Sequence, residues 1–244
     1  MKASRSFLLL VLLGSVVAWG AADELQWPVR LLTTLLLVPL PAALVLQARL
    51  LEDPTGLPRL SVYASSAAAQ LVLALVTLGA ARAGGFAPHV LGLALTTGWG
   101  TQLAWAGAVT LVAVGVNLAS HRLGIRESAI LFHLLPRDRR ERAAFAGLSA
   151  TAGVCEELVF RGFLLTAVVI ASGSPVLGLL VSSFAFGVVH AYQEPSGVAR
   201  ATLLGLVLAI PFVMTGSLVA PVLAHTAIDL VGGFWLGPRL LRSG

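Results

Sequence analysis

The stretch "GVCEELVFRGFLL", residues 153–165, sets two adjacent glutamates and an arginine inside a long apolar run. Its surroundings decide how it reads. Of the 244 residues, 57% are hydrophobic and 11% charged, and the mean hydropathy is +0.92. A soluble domain carries about 25% charged residues. The composition is that of an all-α, polytopic membrane helix bundle. A sequence pI near 10.6 raises nucleic acid as a partner, but 16 Lys+Arg against 11 Asp+Glu is a small excess. That excess sits in loops, where basic residues set membrane orientation. The expected partners are therefore the lipid bilayer and not nucleic acid. The single cysteine, Cys155, forms no internal disulfide.

Spans of about 20 mostly apolar residues can be laid out around this stretch at 7–22, 29–48, 61–81, 100–120, 143–170, 175–191, 198–215 and 218–236. The first, with Lys2 and Arg5 before it, also has the shape of a signal peptide, but a polytopic chain needs no separate signal. Pro39 and Pro41 predict a kink in the second. The glycine-rich "GGFAPHVLGLALTTGWG", residues 84–100, reads as interfacial or re-entrant, and 121–142 as a solvated basic loop with a short surface helix. The layout makes 1–142 an N-terminal set of helices with a basic loop and 143–236 the functional core, integrated in one membrane domain.

About eight spans put both termini on one side. That side collects Lys2, Arg5, Arg49, Arg59, Arg122, Arg126, Arg137, Arg139, Arg140, Arg142, Arg200, Arg239 and Arg242, leaving Arg30 and Arg82 opposite. The asymmetry predicts cytoplasmic termini. Arginine-rich, alanine- and leucine-rich usage suits a GC-rich bacterial genome, hence a plasma-membrane location.

Charge at bilayer depth is expensive and tends to be functional. The late spans hold nearly all of it: Glu156, Glu157, Arg161, His190, His225 and Asp229. Glu157 and Arg161 are four apart with the acid N-terminal, the better orientation for a helical ion pair. Glu156 is rotated about 100° from Glu157 and lacks a local basic partner, so it is the glutamate available for chemistry. His225 and Asp229 share a face, as do Phe186 and His190. If the three helices converge, a desolvated glutamate can take a proton from water and return it to a leaving group. A histidine would hold the water, and another donor would stabilise an oxyanion. The same set, Glu156, His190, His225 and Asp229, also suits zinc with an open position. Both chemistries fit the residues, and the first requires no cofactor.

"EELVFR" (156–161), "FGVVH" (186–190) and "HTAID" (225–229) resemble, in order, the EExxxR, FxxxH and HxxxN/D motifs of the CAAX-protease and bacteriocin-processing (CPBP) intramembrane proteases, the Rce1-like prenyl endopeptidases among them. The resemblance covers about 143–236. It implies an eight-helix fold with a site among the C-terminal four helices, open to the cytosolic leaflet. It further implies that Glu156 activates water with help from His190, and that His225 and residue 229 stabilise the oxyanion. Glu157 and Arg161, with Phe186, would support the site. Asp229 departs from the asparagine of the prenyl-endopeptidase branch: an ionised carboxylate cannot donate to an oxyanion, so Asp229 is protonated, orients His225 or helps bind a metal.

The reading is an intramembrane endopeptidase, metalloprotease-like in its residue set, acting on a membrane-associated peptide or protein. A non-catalytic peptide-binding or immunity protein of the same fold is the alternative; it does not require the intact set. A proton-coupled transporter would show two related halves, whereas the polar groups here are confined to one. Cys155 reads as a packing residue, His89, His121 and His133 as surface, and Glu194 as solvated beside the site.

Overall fold

The computed structural model describes residues 5–50, 56–125 and 128–240. Lys2, Arg126 and Arg242 of the orientation argument lie outside them. The described residues form helices α1 (Arg5–Gly20), α2 (Trp27–Leu37), α3 (Pro39–Leu50), α4 (Arg59–Ala83), α5 (Trp99–Arg122) and α6 (Ala129–His133). Next comes a long broken helix: α7 (Arg139–Glu157), a π-helical segment (Leu158–Leu165) and α8 (Thr166–Ser172). It is followed by α9 (Pro175–Val188), a 3₁₀ turn (Ala191–Gln193), α10 (Glu194–Thr215), α11 (Val219–Val231), a second π segment (Gly232–Leu236) and α12 (Gly237–Leu240).

Each expected span falls on a helix, with three differences. The kink of the second span is a break at Val38, ahead of Pro39, where proline cannot continue the hydrogen-bond ladder. The fifth span begins earlier, at Arg139, because Asp138 caps it: its carboxylate accepts from Glu141 N at 2.8 Å while Glu141 accepts from Arg137 N at 2.8 Å. Length is the third. Among the described residues, five runs are long and apolar enough to cross a membrane: Trp27–Arg49, Arg59–Ala83, Trp99–Arg122, Ala191–Thr215 and Val219–Leu240. Arg5–Gly20 and Pro175–Val188 are apolar but shorter. The 14 residues of α9 rise about 21 Å, against roughly 30 Å of hydrocarbon.

Burial is arranged for a lipid solvent. Large apolar side chains point outward on the peripheral helices, such as Leu9 and Leu13 on α1, Leu75 on α4 and Leu111 on α5. Every residue of the first π segment is buried, Arg161 included. That segment is the axis of the bundle, with α4, α7, α8 and α9 packed around it. The chain is a polytopic helical membrane protein.

The irregular 84–98 stretch is packed into the protein. Leu91 is buried, Phe86 meets the Phe163 ring at 6.0 Å, and Gly92 O accepts from Leu218 N at 2.9 Å. Non-helical backbone survives at membrane depth where protein satisfies it in this way. Gln102 does similar work on α5. Its Nε2 donates to Thr97 Oγ1 at 2.8 Å and its Oε1 accepts from Ala220 N at 2.9 Å, capping the start of α11. The basic loop is pinned on the other side: Arg59 Nε donates to His133 O, Tyr63 Oη donates to Leu134 O at 2.6 Å, and His133 Nε2 lies 3.0 Å from Leu57 O. His133 is thus a half-buried fastening and not the surface residue its loop position suggests, whereas His89 and His121 are exposed.

Helices α7 and α11 touch at Gly153, one turn before Glu157. A Cβ there would collide with Thr226 Oγ1 and stand 3.0 Å from Val222 O. Gly147, on the same helix, has open space. Gly153→Ala is expected to lower the thermal unfolding midpoint in detergent, an overpacking penalty of about 1–3 kcal/mol. Gly147→Ala should leave the midpoint unchanged or raise it, since alanine is the better helix former.

Candidate active site

Five of the six ionisable residues singled out from the sequence meet within a few ångströms, and the buried ion pair is where they join. Arg161 Nη1 donates to Glu157 Oε1 at 2.9 Å, both side chains being fully buried. The same oxygen accepts from His225 Nδ1 at 2.7 Å. Arg161 also donates through Nη2 to Gly205 O on α10 at 3.0 Å and lies 4.3 Å over the Phe186 ring on α9. One carboxylate and one guanidinium thereby connect α7, the π segment, α9, α10 and α11.

Phe186 is the apolar counterpart of that junction. Phe160 meets it edge-on at 5.3 Å, His225 edge-on at 5.8 Å, and His190 tilted at 4.8 Å. Such aromatic geometries are favourable beyond area burial, and they set the planes of both imidazoles. Phe160 therefore packs inward onto the site. His190 joins the cluster through this ring.

The two histidines are held alike. His190 Nδ1 lies 2.8 Å from Phe186 O, and a carbonyl can only accept, so Nδ1 carries the proton. His225 Nδ1 donates to Glu157 in the same sense. In both rings Nε2 is left as the working nitrogen, with the ring's orientation set by the partner on the other side. Its orienting partner distinguishes His225 from the sequence expectation: Glu157 takes that role, while Asp229 stands on the opposite edge of the ring.

His225 Nε2 is 3.8 Å from Glu156 Oε2 and 4.0 Å from Asp229 Oδ2. Neither is a hydrogen-bond distance. The three groups face one another beside the His225 ring edge, with Glu156 Oε2 buried and Asp229, about a third exposed, on the outer side. Glu156, on α7 beside the buried pair, has Gln70 as its one hydrogen-bond partner among the described residues: Gln70 Nε2 on α4 donates to Oε1 at 2.7 Å. Glu156 Oε2 is buried without a hydrogen-bond partner.

Gln70 was not legible as a site residue. The only cue was a long polar side chain in the middle of "SSAAAQLVLALV", 86 positions before Glu156. Tyr192 was missed too; its ring lies 5.9 Å from that of His190, within electrostatic range of Glu156 and Asp229. Glu194 is exposed, and among the described residues it is the non-glycine with positive φ, at 65°. Cys155 is buried, as a packing residue would be.

Among the described residues no group of three or more His, Cys, Asp and Glu is arranged to hold a metal ion. Neighbouring donors on a tetrahedral zinc with bonds of roughly 2.0–2.1 Å stand about 3.4 Å apart. The separations around His225 Nε2 are wider, and its Nδ1 is already engaged. As they stand, these described residues do not fit a tetrahedral zinc, and no step below passes through a metal.

The buried pair makes a stability prediction. Arg161→Met leaves Glu157 in the bundle core with His225 as its one remaining partner among the described residues, a loss of about 3–5 kcal/mol. The double variant Arg161→Met/Glu157→Gln should recover part of the loss of thermal midpoint, because the stranded charge is gone.

Comparison with known proteins falls on the same region. Residues 140–231 match the family model described as Type II CAAX prenyl endopeptidase Rce1-like. No curated protein and no solved structure matches the chain. The matched segment runs from the start of α7 to the end of α11 and contains Glu156, Glu157, Arg161, Phe186, His190, His225 and Asp229. Residues 140–231 are thus similar to the Rce1-like CAAX prenyl endopeptidase family, the segment in which the whole cluster lies.

Proposed function

We propose that this protein is an intramembrane endopeptidase in which Glu156 activates the hydrolytic water. The Rce1-like match supports CAAX-type endopeptidase chemistry in general terms. The observation that carries the reading is the contrast between two neighbouring acids. Glu157 Oε1 holds both Arg161 and His225, whereas Glu156 is bonded by the neutral amide of Gln70 and turns Oε2 toward His225 Nε2 at 3.8 Å.

Glu156 Oε2 takes a proton from water as the oxygen attacks the scissile carbonyl carbon. The carbonyl π pair moves onto oxygen and gives the tetrahedral oxyanion. Collapse of that intermediate breaks the C–N bond, and Glu156 returns the proton to the departing amine. His190, through Nε2, orients the water. His225, as an imidazolium, donates its Nε2–H to the oxyanion while Nδ1 stays on Glu157. Asp229, unable to donate when ionised, stands at the open edge and balances charge on His225. Glu157, Arg161 and Phe186 hold these groups in place.

The core at 143–236 performs the reaction, and the helices of 1–142 complete its surroundings. The substrate is a membrane-associated peptide or protein. Loop arginines support cytoplasmic termini, and the arginine-rich composition supports a bacterial plasma membrane. No cofactor enters this sequence of steps.

The test compares peptide termini of membrane and secreted proteins from cells expressing wild-type protein or Glu156→Gln at equal levels. One or a few precursors should remain uncut in the variant, with cleavage slowed about 10²–10⁴-fold, the usual contribution of a general base. Identical termini, with the variant rescuing a deletion phenotype, would replace catalysis by a peptide-binding role.

A further inference from the structure

Among the described residues Gln70 is the one side chain that hydrogen-bonds Glu156, and it comes from α4, outside the Rce1-like segment. Its neighbours on the helix, Ala67–Ala69 and Leu71–Leu73, are apolar. An amide in such a run needs partners, and this one has committed its donor end to Glu156 Oε1 at 2.7 Å. Two further atoms complete the picture. Gln70 Oε1 and Glu156 Oε2 are both buried and both lack a hydrogen-bond partner in the protein. Each can only accept when Glu156 is ionised.

We propose that Gln70 is a positioning residue for Glu156, pinning Oε1 so that Oε2 alone exchanges protons with the reacting water and the leaving amine. The inference rests on the catalytic reading of Glu156 given above. A glutamate has three rotatable side-chain bonds and two equivalent oxygens; a base that must face one side gains from having one oxygen tied down. The amide N–H serves both protonation states. It donates to Oε1 of the carboxylate, and after proton uptake on Oε2 it still donates to Oε1, which is then the carbonyl oxygen of the acid. The bond therefore need not break during turnover, and the proton stays on the oxygen that faces the substrate.

A merely structural Gln70 would tie α4 to α7 and do nothing else, so the test separates the two. Gln70→Met keeps length and removes the donor; Gln70→His restores an N–H at comparable reach. A precursor identified by the comparison of termini serves as substrate. The expected result for Gln70→Met is a kcat lowered about 100-fold, the scale of a misplaced catalytic group, with KM and thermal midpoint close to wild type. Gln70→His should recover most of kcat. Infrared difference spectra provide a readout without substrate: the Glu156 carboxylate band, identified by its loss in Glu156→Gln, should shift in Gln70→Met and return toward wild type in Gln70→His. An unchanged kcat in Gln70→Met would overturn the proposal. So would a parallel loss of kcat and thermal midpoint that Gln70→His fails to reverse. If the wild type shows no Glu156-dependent cleavage, the protease reading has failed, and an unshifted carboxylate band then overturns the positioning role as well.

Discussion

Glu157 Oε1 accepts two hydrogen bonds, from Arg161 and from His225, in a place where neither water nor lipid headgroups can help. Much of the site depends on that oxygen. Taking a carboxylate and a guanidinium out of water is unfavourable unless each finds a partner and further hydrogen bonds. Arg161 is partnered through Glu157, Gly205 O and the Phe186 face, and Glu157 through Arg161 and His225 on Oε1. The requirement to satisfy two charges brings four helical elements to one point around the π segment. Once they are there, His225 has one edge fixed and the other turned toward Glu156 and Asp229.

The same constraint explains why adjacent glutamates differ. About 100° of helical rotation separates consecutive side chains. Glu157 points into the packed core and Glu156 toward α4 and the His225 ring edge, where its side chain keeps some exposure. A base cannot be bound by strong donors on both oxygens and still move protons. A structural anion is fixed by the donors it holds, here Arg161 and His225 on one oxygen. Two neighbouring positions on one helix deliver both environments, and His225 couples them, because the group that orients its ring is the structural acid and the group it faces is the proposed base.

Local features of this arrangement were legible in the sequence. The four-residue spacing of Glu157 and Arg161 gave their pairing, and the absence of a basic residue one turn from Glu156 marked it as the free acid. The concentration of ionisable groups after residue 142 located the site. What stayed hidden is set by distance along the chain or by symmetry of pattern. The third partner of the pair, His225, is 68 positions away, and Gln70 is 86 positions from Glu156. Both contacts arise from packing of α11 and α4 on α7, which no local period encodes. The π segment was invisible for another reason: its eight residues are buried all round, so no exposed face is left to report the helical period. The role of Asp229 shifted likewise, since sharing a helical face with His225 did not reveal that Glu157 already held the ring.

The division of labour between the two acids is most directly tested by the thermal midpoints of Glu156→Gln and Glu157→Gln, measured side by side in the same detergent. The account predicts that Glu156→Gln melts within a degree or two of wild type, because its amide can still accept from Gln70. Glu157→Gln should melt several degrees lower, because Arg161 and His225 lose the charge they share. A Glu157→Gln protein as stable as wild type, or a Glu156→Gln protein that is the less stable of the two, would contradict it.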